Sequence, residues 1–131
     1  MSTAKILVVD DEEGTLKLLE KKLTAQKYKV LLAKNGQEAK IKILEEKPDL
    51  IIMDIMLPDI DGPEVIRSLQ VNPYARQIPV FFLSSIIAQQ DNVTMPEVKV
   101  GEKRYMAFGK PIDVKQLVPK IKEALSPSAN S

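Results

Sequence analysis

A doubly wound α/β domain, with a five-stranded parallel sheet and helices on both faces, is the fold this sequence predicts. Short apolar or β-branched runs recur along the chain, stretches of helical spacing separate them, and the runs are apolar throughout rather than alternating. Strands covered on both faces read this way, and their alternation with helices makes the sheet parallel with right-handed crossovers. A chain of 131 residues, 44% of them apolar, is enough for one well-covered core, so a single domain over residues 1–125 is expected.

The elements follow in order. "KILVV" (5–9) is the first strand, and "TLKLLEKKLTAQ" (15–26) carries Leu16, Leu19 and Leu23 at helical spacing. "KVLLA" (29–33) is the second strand, followed by the helix "GQEAKIKILEEK" (36–47) with Ala39, Ile43 and Leu44 on one side. "LIIM" (50–53) is the third strand. Pro58, Asp59, Asp61 and Gly62 then read as a turn, with Asp61 capping the helix "GPEVIRSLQ" (62–70), whose apolar side is Val65, Ile66 and Leu69. "IPVFFL" (78–83) and "RYMAF" (104–108) are the fourth and fifth strands. Between them, Pro96 and Gly101 break a weak helical pattern over residues 86–103, where a short helix and an irregular loop fit equally well. The closing helix "VKQLVPKIKEAL" (114–125) aligns Val114, Leu117, Val118, Ile121 and Leu125, and Pro119 is expected to kink or shorten it. The small polar "SPSANS" (126–131) reads as a short flexible tail.

Composition removes several chemistries. Nineteen Lys and Arg against eighteen Asp and Glu leave a formal net charge of +1, too little for a global field that draws in DNA or an anionic membrane. Without cysteine there are no disulfides, thiolate metal sites or cysteine nucleophiles. Without histidine there is no imidazole catalysis, imidazole ligation or histidine phosphotransfer by these residues. Carboxylates, hydroxyls and amines are left to do any chemistry. The opening "MSTAKILVVDDEE" meets acidic residues before its apolar run reaches signal-peptide length, and no segment approaches the roughly 20 apolar residues of a membrane span. A cytoplasmic location is expected.

In doubly wound folds ligands bind beyond the carboxyl ends of the strands, where the strand order reverses. The first strand delivers Asp10 and Asp11 to that rim, the third Asp54, the fourth Ser84 and the fifth, past Gly109, Lys110. Asp54 follows four apolar residues directly, and burying a carboxylate there costs several kcal/mol unless something pairs with it. Acidic groups without His or Cys suit a hard cation such as Mg²⁺, and an Asp beside Mg²⁺ and a lysine can act as a nucleophile towards phosphorus. Each residue also has an ordinary reading. Asp10 and Asp11 could cap the helix that follows, Ser84 could be a plain strand-end hydroxyl and Lys110 a solvated turn lysine. Their joint occurrence at successive strand ends favours the site, and Asp54 has no use in a turn.

These residues resemble the receiver domains of two-component response regulators, in their single-domain, chemotaxis-regulator-like form. "ILVVDDE", "PDLIIMDIMLPDIDG" and the "KP" of Lys110 and Pro111 resemble that family's three signature segments, in the right order, and the likeness covers residues 4–125. It implies a flavodoxin-like strand order 2-1-3-4-5 and makes residues 1–125 a receiver domain. It further implies that Asp54 is the phosphoacceptor, that Mg²⁺ is the cofactor, and that Asp11 is a direct ligand with Asp10 supporting. The backbone carbonyl of Met56 becomes a further ligand, Ser84 the hydroxyl that turns towards the phosphoryl group, and Lys110 the cation that pairs with it. A cis peptide between Lys110 and Pro111 is a further expectation.

The sequence departs from the family pattern in places. Ser84 and Lys110 are a few residues further apart than is typical, and no "GA" segment precedes the fifth strand, which leaves the fourth helix of the pattern unassigned. The aromatic that family members carry three residues before the lysine is replaced by Ala107; Tyr105 shares its face, whereas Phe108 points the other way. Ser85 stands where a smaller residue is common and could narrow access. In that family the path of a hydrolytic water is flanked two residues after the phosphoacceptor and two after the hydroxyl residue, places that the resemblance gives here to Met56 and Ile86, both apolar.

The expected function is a stand-alone phosphoryl-accepting switch that assists its own phosphorylation and dephosphorylation but is not an enzyme acting on a separate substrate. The donor would be a histidine on a sensor kinase or phosphotransfer protein, and a downstream target protein would read the change, with no direct nucleic-acid or membrane contact. A metal-dependent phosphatase or phosphotransferase with an aspartyl nucleophile is an alternative, but one large class of these places an Asp where Met56 stands. A nucleic-acid-binding module is suggested only by seven basic residues against Glu102 and Asp113 between residues 99 and 122, a stretch with few aromatics.

Overall fold

The computed structural model describes residues 3–85 and 97–126. Strands β1 (Lys5–Val9), β2 (Lys29–Ala33), β3 (Leu50–Asp54) and β4 (Val80–Ser84) alternate with helices α1 (Glu13–Ala25), α2 (Gly36–Glu46) and α3 (Gly62–Leu69). After them come β5 (Glu97–Val100), β6 (Lys103–Gly109) and α4 (Val114–Leu125). The sheet runs β2-β1-β3-β4-β6-β5, parallel throughout except for the antiparallel pairing of β5 with β6. The expected doubly wound order is therefore present, with β6 in the place of the fifth strand.

The sixth strand corrects the expectation. The sheet has six strands rather than five, and residues 97–103 form the outer strand and turn of a hairpin rather than a helix or irregular loop. The reason is a two-residue alternation: Val100 is buried in the core and Val98 packs against it, while Glu97 and Lys99 are exposed. Gly101 closes the turn at φ +62°, a conformation that glycine adopts without steric penalty. What the sequence suggested for residues 86–96, and for the tail at 127–131, lies outside the described residues.

The apolar runs bury both faces of the sheet. On one face Ile6, Val8, Ile52, Leu83 and Phe108 meet Leu16, Leu19 and Leu23 of α1 and Leu117 and Ile121 of α4. On the other, Leu7, Val9, Met53, Phe82 and Tyr105 meet Ala39 and Ile43 of α2, and Val65 and Leu69 of α3. Each large side chain buried this way contributes about 1.5–3 kcal/mol. Tyr105 and Phe108 thus lie on opposite faces, as the strand alternation predicts. Pro119 does not shorten α4, which continues to Leu125. It removes one helical N–H, and Leu117 and Ile121 on either side are both fully buried and hold the helix to the sheet.

Candidate functional site at the carboxyl ends of the strands

The order of the strands reverses between β1 and β3, and the residues that follow these strands meet beyond their carboxyl ends. Asp10 directly follows β1, Asp54 ends β3 and Ser84 ends β4, all three buried at 0%, 6% and 5% exposure. The backbone N–H of Lys110 donates to the Ser84 carbonyl at 3.0 Å, which extends the β4–β6 pairing and sets the lysine beside the other strand ends. The Lys110–Pro111 peptide is cis, as expected.

Lys110 is the centre of the cluster. Its Nζ lies 2.7 Å from Asp10 Oδ2, 2.6 Å from Glu12 Oε1 and 2.8 Å from Asp54 Oδ2. Burial alone would lower the affinity of Lys110 for its proton, but the Asp10, Asp54 and Glu12 carboxylates outweigh it and hold the ammonium well above the ordinary lysine value. Burial pushes the Asp10 carboxyl up, against the pull of Lys110, while the Lys110 hydrogen bond pulls the exposed Glu12 carboxyl down. Local backbone donors fix two of the acids in place. Glu12 N–H donates to Asp10 Oδ1 at 2.9 Å, and Met56 N–H to Asp54 Oδ1 at 3.1 Å.

The carboxylate oxygens of Asp10, Glu12 and Asp54 lie within 4.8 Å of one another. Three carboxylates facing one ammonium leave a formal excess of two negative charges. Asp10 Oδ2 is fully buried and lies 2.7 Å from the Lys110 ammonium, which it shares with Glu12 and Asp54. An oxygen-only donor set with surplus negative charge fits a hard divalent cation.

The structure brings Asp10, Asp54, Ser84 and Lys110 to one rim, as the sequence predicts. Asp11 is exposed and is not one of the three clustered acids, while Met56 follows Asp54 with its side chain 63% exposed. Glu12 was missed, since nothing in its spacing separates it from an ordinary first-turn acid. It is the N-cap residue of α1 but makes no side-chain capping bond, and neither Asp10 nor Asp11 is that cap residue. Asp61 does cap α3, through Glu64 N–H at 2.8 Å. Asp59, taken for a turn residue, reaches further: its carboxylate accepts from the N–H groups of Gly36 and Gln37 at the start of α2. Ser85 is exposed and lines a cavity of about 390 Å³ beside Lys110, bordered also by Leu18 of α1. Ile86 lies outside the described residues.

A doubly wound domain whose strand ends gather acids around a single lysine is the architecture of a phosphoryl-signalling receiver. Residues 6–122 match the response regulator receiver domain, and the chain belongs to that family. It is 41% identical over 91 residues to the response regulator PleD of Caulobacter vibrioides, covering 70% of this chain and 20% of that protein. It is 37% identical over 121 residues to the alkaline phosphatase synthesis transcriptional regulatory protein PhoP of Bacillus subtilis, covering 92% and 48%. The chain thus spans less than half the length of either relative. Among solved structures, the signal receiver domain of a signal transduction histidine kinase from Syntrophus aciditrophicus superposes with a TM-score of 0.80 at 28% identity, covering 98% of this chain and 95% of that one. Among the described residues no helix is long and apolar enough to cross a membrane.

Proposed function

We propose that this chain is a phosphoryl-accepting switch in which Asp54 takes the phosphoryl group. The observation that carries this reading is the Lys110 ammonium held among Asp10, Glu12 and Asp54 at the strand ends. An oxygen of Asp54 forms a bond to phosphorus as the donor's nitrogen–phosphorus bond breaks, and the electron pair leaves on the donor imidazole. None of these 131 residues is a histidine, so the donor imidazole lies outside them, in a sensor kinase or a phosphotransfer module. The histidine-kinase receiver among the structural neighbours supports this class of donor. A cavity lined by α1 residues, Ser85, Lys110 and Pro111 opens beside that cluster.

Mg²⁺ would be held by Asp54, Asp11 and the Met56 carbonyl with Asp10 in support, and Glu12 stands close enough to assist. When bound, the ion supplies positive charge against the charge that develops on the transferred group. Lys110 pairs with the phosphoryl oxygens once Asp54 is modified, and Ser84 turns its hydroxyl to them. These contacts favour one of two conformations, which a downstream target protein reads in the cytoplasm.

Acetyl phosphate with Mg²⁺ tests the chemistry without the natural donor. Intact-mass spectrometry should show one added phosphoryl group on the wild type, and none on Asp54→Asn or on a chelator-treated sample. Equal labelling of Asp54→Asn would sink the assignment.

A further inference from the structure

The loop between β3 and α3 carries Met56 and is fastened at several points. At its base Gly62 N–H donates to the Ile55 carbonyl at 2.7 Å. At its far side Asp59 Oδ1 accepts from Gly36 N–H at 2.8 Å and from Ile60 N–H at 2.9 Å, while Oδ2 accepts from Gln37 N–H at 2.9 Å. Gly36 and Gln37 open α2, so their N–H groups have no partner within the helix. The next one, of Glu38, is taken by the Asn35 side chain at 2.8 Å. Asn35 therefore caps α2 from its own chain neighbourhood, whereas Asp59 caps it from a loop 23 residues away. The seat is close: a Cβ on Gly36 would lie 2.5 Å from Ile60 Cγ1.

Resting on the reading that Met56 offers its carbonyl to Mg²⁺, we propose that Asp59 is a positioning residue for the metal site, holding the Met56 segment against α2. The loop has two fixed ends around Met56. One is Asp54 and Ile55, tied through the Met56 and Gly62 amides, and the other is Asp59. Without the second, residues 56–58 keep the Met56 amide's bond to Asp54 and the apolar anchoring of the partly buried Leu57, while their far end is released, and the carbonyl must be ordered each time the ion binds. Partners one step removed from a metal ligand typically alter affinity by about 10–100-fold, and Asp59 acts at the lower end of that range because it holds a backbone rather than a ligand side chain.

The test compares Asp59→Ala with Asn35→Ala, which removes the other α2 cap but has no tie to the loop. Mg²⁺ affinity of the full, unphosphorylated chain is measured by calorimetric titration, and amide hydrogen exchange by NMR. Asp59→Ala should weaken Mg²⁺ binding about tenfold and speed exchange at Met56 and Ile60, while Asn35→Ala keeps wild-type affinity. Asp59→Asn serves as a second, milder variant: it keeps an acceptor for Gly36 but turns an amide towards Gln37, and an intermediate loss is expected. Wild-type affinity in both Asp59 variants, or equal weakening by Asn35→Ala, overturns the positioning role alone. A wild type that binds no Mg²⁺ overturns the functional reading, and this inference falls with it.

Discussion

Replacing Lys110 by methionine keeps a stem of similar length and removes an ammonium that sits 2.7 Å from Asp10 Oδ2 and 2.8 Å from Asp54 Oδ2. Those two side chains are only 0% and 9% exposed, so they are poorly solvated when the ammonium is removed. Removing one member of a buried ion pair costs about 3–5 kcal/mol. Protonation sets a ceiling on that loss, because a carboxyl that takes up a proton is no longer an unpaired charge. Holding a proton above the ordinary value of 3.8 costs about 1.4 kcal/mol per pH unit, hence about 4 kcal/mol at pH 7 and about 2 kcal/mol at pH 5. Between these pH values the folded variant binds more protons than its unfolded chain, so its stability falls as pH rises. Urea unfolding of wild type and Lys110→Met in the presence of a chelator should therefore differ by about 4 kcal/mol at pH 7 and about half that at pH 5. A difference that does not change with pH would refute the charge argument and assign the loss to packing of the lysine stem.

Two further outcomes follow from the loops around the site. A Cβ on Gly62 would lie 2.4 Å from the Asp54 carbonyl oxygen, whereas one on Gly14 of α1 meets nothing within 4 Å. Thermal unfolding should show Gly62→Ala losing about 2 kcal/mol or more and Gly14→Ala gaining about 0.5–1 kcal/mol, since only the second site has room for the methyl group. Met56 is exposed and apolar beside Asp54, so it cannot orient a water for attack on an acyl phosphate. Timed decay of the phosphorylated form in excess Mg²⁺ should be slow in the wild type and several-fold faster in Met56→Glu, and unchanged decay would remove this side chain from the control of hydrolysis.

The five strands the sequence predicts were legible because each is a largely apolar run, and the residues that end or follow four of them meet at one rim: Asp10, Asp54, Ser84 and Lys110. The faces of Tyr105 and Phe108 were legible too, from strand alternation alone. The β5 hairpin was harder to see. Its alternation covers four residues beside Pro96, and its turn depends on a glycine in the left-handed region that reads equally well as a loop breaker. Glu12 and Asp59 escaped for a different reason. Their roles lie in partners distant in sequence, Lys110 for one and Gly36 for the other, and an acidic residue in a turn or first helical turn looks the same with or without such a partner. Asp11 rests on the "DDE" motif alone, for its side chain stands at the surface, outside the group formed by Asp10, Glu12 and Asp54.

The central claim is that the phosphoryl group resides on Asp54. Borohydride reduces an acyl phosphate to the corresponding alcohol and leaves free carboxylates untouched, so the modified aspartate can be located after proteolysis. The wild type treated with acetyl phosphate and Mg²⁺, reduced and digested, should show the mass change at residue 54 and at no other acid, and chelator should abolish it. A reduced residue at Asp10, Asp11 or Asp59 with Asp54 intact would contradict the account.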